Sequence, residues 1–141
     1  MAYRKLLFKL LPDLSFVAAM LCITMLASCS GWSREEKIAE CAYTALHIAD
    51  WSQTREAASR PDAYHETNPL MGSYPSTSTV DIYMGSTLAL HWVVTGLLPR
   101  RWRVPIIDAD IHPRAMWQYI SIGVEASYVA NNISVGVRGE F

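Results

Sequence analysis

The sequence predicts an all-α fold: a small three-helix bundle behind a cleaved N-terminal export segment, ending in a short C-terminal strand or an irregular tail. Three observations carry this. An apolar run at 14–26 follows a basic N-terminus. Helical periodicity recurs at 34–58, 80–98 and 114–132. Two proline-bearing connections, 59–75 and 99–113, separate these stretches and exclude one continuous helix.

Arg4, Lys5 and Lys9 form the cationic start, and the apolar run is too short for a comfortable membrane span. Residues 26–29 read Leu-Ala-Ser-Cys, with Ala27 and Ser28 small enough for a peptidase pocket. The tetrad resembles a bacterial lipobox. That resemblance implies cleavage between Ser28 and Cys29, acylation of Cys29, and three segments: a lipoprotein signal peptide 1–28, a lipidated tether 29–33 and a helical domain 34–141. The alternative is an uncleaved anchor helix with a chance cysteine. Ser30 stands where an Asp would retain a sorted lipoprotein. By the same resemblance the protein is expected on the outer membrane facing the periplasm, with the inner membrane as the alternative.

Hydrophobic residues make up 51% of the chain and charged ones only 18%, which is apolar for a domain surrounded by water. There is no basic block and no interleaving of aromatic with basic residues, so nucleic acid is not an expected partner. Cys22 leaves with the signal and Cys29 takes lipid, so Cys41 has no partner for an internal disulfide. It is expected to be a small buried apolar residue.

Ser33 opens the first helix as N-cap, with Glu36 three residues on in a capping-box pattern. Ile38, Ala42, Ala45, Leu46 and Ala49 share one face, and Tyr43, His47, Asp50 and Thr54 form a second, polar face. Ser76–Thr79 supplies the cap of the second helix, which is apolar nearly all round and ends at Pro99. Its polar groups, Thr87, His91 and Thr95, fall on one line four residues apart. On the third helix Gln118, Ser121, Glu125, Tyr128 and Asn132 make a stripe at spacings of three and four. The tail from Ile133 alternates apolar and other residues, a strand pattern.

Two stretches stand out: Ala-Asp-Trp-Ser-Gln-Thr-Arg at 49–55 and Glu-Thr-Asn-Pro-Leu-Met-Gly at 66–72. With Trp117 and Gln118 they resemble a group of small uncharacterised lipoproteins of bacteria and their prophages, over most of residues 32–132. The helix bearing Asp and Thr before a Glu-x-Asn-Pro loop also resembles small integral-membrane proteins of unknown function. Neither group has an established activity, so the resemblance implies a family and a location and assigns no catalytic residue.

The candidate ligand site or polar network comprises His47, Asp50, Glu66, Asn68, His91 and Glu125. Glu66 and Asn68 belong to a loop in which Asn before Pro caps free backbone amides, so backbone service is the simpler role. His91 sits on a helix with no polar face and needs a hydrogen-bond partner, for which Asp50 or Glu125 is the natural candidate. His, His and carboxylate would suit a metal, yet no His-Glu-x-x-His frame, cysteine pair, phosphate loop or nucleophile elbow is present. No catalytic residue, metal or cofactor is therefore expected. The reading is a non-enzymatic lipoprotein that meets the membrane through its N-terminal lipid and serves an envelope protein partner in an interaction or structural role. An envelope enzyme or metal binder using the His/Asp/Glu cluster is the alternative. A second alternative is an inserted helical hairpin of 80–98 and 114–132, against which Asp81, His91, Glu125, Asn131 and Asn132 weigh.

Overall fold

The computed structural model describes residues 31–106 and 108–139. The expected signal segment, the expected Ser28–Cys29 processing site and the end of the tail lie outside the described residues. The chain divides into two compact units, Met1–Lys37 and Ile38–Phe141. Of the first, the described part is residues 31–33 and the first turn of helix α1 (Arg34–Ser59). There the capping box forms in both directions: Glu36 N donates to Ser33 Oγ at 3.2 Å and Ser33 N to Glu36 Oε2 at 2.6 Å.

The second unit holds the remainder of α1, then α2 (Thr77–Leu97), a hairpin of β1 (Trp102–Val104) and β2 (Ala109–Ile111), and α3 (Pro113–Ser134). Helix α2 starts three residues before the sequence pattern did because Ser76 caps it, its hydroxyl accepting from Thr79 N. Helix α3 accepts Pro113 in its first turn, where no amide hydrogen is required. The stretch 99–113, expected to be a loop, carries the only strands among the described residues. They pair antiparallel with Trp102 opposite Ile111 and Val104 opposite Ala109. Asp108 takes the left-handed turn conformation that Asp tolerates better than most residues, at φ 45°. Arg101 bonds Asp110, and that guanidinium holds the Asp110 carboxyl below its ordinary range.

The strand expected at the C-terminus does not form in the described residues. Gly136 and Gly139 adopt positive φ and break the alternation. The amides of Arg138 and Gly139 donate instead to Glu56 Oε2, at 3.1 and 2.7 Å, and Val137 is buried. The tail is thus an irregular segment clamped onto the end of α1.

The helices lie where the sequence put them, and on α1 and α3 the polar residues turn inward. On α1 the apolar set is outside or half-covered: Ile38 is 58% exposed, and Ala42 and Ala45 are exposed. Cys41, expected to be buried, is exposed as well. The buried side of this helix carries Glu40, Tyr43, Thr44, His47, Gln53 and Thr54. Helix α3 turns Gln118 and Glu125 inward and leaves Met116, Ile120 and Val124 exposed. The largest fully buried side chains include His47, Gln118 and Glu40. The interior is therefore mixed: these polar side chains pack with Tyr43, Val80, Met84 and Trp92.

Candidate functional site

Two polar clusters tie the helices together at successive levels. At the first, Gln118 Nε2 donates to Glu40 Oε2 at 2.8 Å. His91 Nε2 lies 3.3 Å from the other oxygen of Glu40, close enough for ionic contact but not aligned as a hydrogen bond. The His91 ring stacks on Tyr43 at 3.5 Å between centroids, with Trp117 at 5.3 Å on a near-parallel plane. Trp117 Nε1 donates to Thr95 Oγ1 at 3.1 Å, which closes the cluster between α2 and α3. The partner of His91 is therefore Glu40, not Asp50 or Glu125. Glu40 lies one heptad before His47, on the same inward side of α1.

Two turns along α1, His47 Nδ1 meets Glu125 Oε1 at 2.8 Å, while His47 Nε2 lies 3.0 Å from the carbonyl of Met84. A carbonyl only accepts, so Nε2 carries a proton and donates to it. Nδ1 then either holds a second proton against the Glu125 carboxylate or accepts from a protonated Glu125. The pair is electrically neutral in both forms, which is how two ionisable groups can share a site where His47 is 2% exposed. With both ring nitrogens engaged, His47 is not free to take a proton from a bound molecule. Its geometry suits holding three helices in register.

Beside this pair opens a cavity of about 410 Å³. His47, Asp50, Glu66, Asn68 and Glu125 all line it, so five of the six sequence candidates meet at one place and His91 lies outside. Asn131, Asn132, Thr54, Thr87, Tyr83 and Tyr128 supply amides and hydroxyls, and Met71 and Met84 supply thioethers. Asn132 Nδ2 donates to Asp50 Oδ1 at 2.8 Å and so fixes that carboxylate on the wall. The 66–71 loop forms a rim. Glu66 Oε1 accepts from the amides of Thr67 and Asn68 at 2.9 and 2.8 Å, and Asn68 Oδ1 accepts from Leu70 N at 3.0 Å. These side chains hold the loop's backbone, as the Asn-Pro pattern implied. Oε2 of Glu125 is buried with no hydrogen-bond partner among the described residues.

The lining contains three carboxylates and, among the described residues, neither Lys nor Arg. Such a cavity disfavours anions and favours cationic or hydrogen-bonding groups. Among the described residues no group of three or more His, Cys, Asp or Glu is placed to hold a metal ion. Asn132 and Tyr128 were visible in the sequence as members of the third-helix stripe. Glu40, Tyr83 and the Met84 carbonyl were not singled out. No family model, curated protein or solved structure matches this chain.

Proposed function

We propose that this is an acylated lipoprotein of the bacterial envelope whose helical domain is a non-enzymatic binding module, with the cavity receiving a cationic group such as an ammonium or guanidinium. The lipid part of the reading rests on the sequence around Ser28 and Cys29. The binding part rests on one observation: a cavity lined by Asp50, Glu66 and Glu125 without a basic residue among those described. Glu125 is neutralised by His47, which leaves Asp50 and Glu66 as the carboxylates that a cation would compensate. The engagement of both His47 nitrogens argues for binding over acid–base chemistry.

Thermal melts of the purified protein with choline, 1,5-diaminopentane and arginine amide test the reading, with sulfate and glucose as controls. A ligand at one hundred times its dissociation constant adds about 2.7 kcal/mol of stability. At least one amine should raise the melting temperature in wild type and fail to do so in Asp50→Asn. Equal shifts in both proteins, or shifts only with the controls, would reject the cavity as a cation site.

A further inference from the structure

We infer that the helical bundle sits within the hydrocarbon of a lipid bilayer, with acyl chains as the occupant of its exposed apolar surface. Taken singly, no helix among the described residues is long and apolar enough to cross a membrane. Hydrocarbon meets only the outward face of each helix, however, and the average over a whole helix is lowered by residues turned inward. The exposed faces give a different result. From Ile38 to Thr54 the exposed residues of α1 are Ile38, Cys41, Ala42 and Ala45. Between Ile82 and Leu97 the exposed face of α2 carries no Asp, Glu, Lys, Arg or His, and the same holds for α3 from Met116 to Ser134. At about 1.5 Å per residue the bands on α2 and α3 are roughly 24–28 Å long, close to the hydrocarbon thickness of a bilayer at ~30 Å, while the exposed residues of α1 cover about 12 Å.

Four further observations point to lipid rather than to a protein docked on one side. The apolar surface runs along the exterior of α2 and α3 and over the Ile38–Ala45 stretch of α1, with Leu97 80%, Ile82 69%, Ile120 60% and Ile38 58% exposed. A partner or second copy would cover one side, whereas a surrounding medium covers them all. Three hydroxyls on α2 and α3 are spent locally: Ser127 donates to Val124 O at 2.6 Å, Ser134 to Asn131 O at 2.7 Å and Thr87 to Tyr83 O at 3.1 Å. Such bonds satisfy a hydroxyl where no water is present. The hairpin beyond α2 gathers exposed Arg101, Arg103 and Trp102, residue types that belong at a headgroup layer. Glu40, His47, His91 and Glu125, which would be costly against lipid, pair with one another inside. Helical spans also favour the inner membrane over the outer one.

Cys41 reports directly on this surface, because it is an exposed thiol on the outward face of α1. Wild-type protein in native vesicles, opened by freeze–thaw so that both faces are reachable, is treated with a charged maleimide, and the Cys41 peptide is quantified by mass spectrometry. The thiolate is the reactive species and does not form in hydrocarbon, so labelling should be on the order of 100-fold slower than in SDS-denatured protein. Leu90→Cys and Ile120→Cys should behave alike, and Arg101→Cys should label fast. Fast labelling at Cys41, Leu90→Cys and Ile120→Cys in vesicles would overturn the inference. So would release of a Cys29→Ser protein, exported by a cleavable non-lipid signal, into a carbonate supernatant.

Discussion

Replacing Glu125 or His47 by leucine, singly and together, probes the contact that joins all three helices. The two side chains are 11% and 2% exposed and lie 2.8 Å apart. Removing one partner of a buried pair costs about 3–5 kcal/mol, because the other is left without compensation. Glu125→Leu strands His47 Nδ1, and His47→Leu strands the Glu125 carboxyl together with one acceptor on Met84. In the double variant nothing ionisable remains, and leucine fills a similar volume. The Met84 carbonyl also retains Thr87 Oγ1 at 3.0 Å. The double variant should therefore lose less than about 2 kcal/mol, giving a coupling of about 3 kcal/mol or more. Melts followed by circular dichroism in mild detergent measure this. At roughly 4–8 °C per kcal/mol, each single variant should fall by more than about 12 °C, and the double variant should recover much of that loss. Additive losses within about 0.5 kcal/mol would show that the pair does not act as a unit and would refute the argument.

Cys29→Ser should block acylation and processing and leave a precursor of higher mass; an intact Met1 on the wild-type membrane protein, found by mass spectrometry, would reject the lipobox. Gly139→Ala would place a Cβ 2.7 Å from Ser52 Oγ at a φ of +75°, so it should release the tail and speed proteolysis beyond Ser134 while the helices persist. Ser76→Ala removes the cap of α2 and should cost about 1 kcal/mol in the same melts, an effect that Ser76→Asp restores.

The elements were legible in the sequence and their orientation was not. Ser33, Glu36 and Ser76 declare helix starts through their own hydrogen bonds, and such local chemistry acts whatever surrounds the helix. Which face turns inward depends on the medium. The stripe of Ile38, Ala42 and Ala45 reads as a core when the outside is water, yet these residues are exposed and His47 and Glu40 are buried in their place. The third-helix stripe held the answer in outline, since Gln118, Glu125 and Asn132 each find a partner on α1. His91 needed a partner, as its apolar helix implied, but the choice between Glu40, Asp50 and Glu125 depends on a helix register that spacing within one helix does not reveal. The hairpin at 102–111 was hidden by the prolines and arginines of the surrounding 99–113 stretch, which read as loop. Glycine geometry and Glu56 account for the tail, and neither shows in an alternating pattern.

Nitroxide accessibility at the outward positions of α3 tests most directly whether the polar interior and apolar exterior reflect lipid. Met116, Ile120, Val124 and Ile133 are each replaced by a labelled cysteine in a Cys41→Ala background, and the protein is reconstituted into bilayers. All four should relax strongly with oxygen and weakly with a water-soluble nickel complex, with oxygen access greatest at the positions nearest the bilayer centre. Strong nickel relaxation at Ile120 and Val124 in protein that melts like wild type would place that face in water and contradict the account.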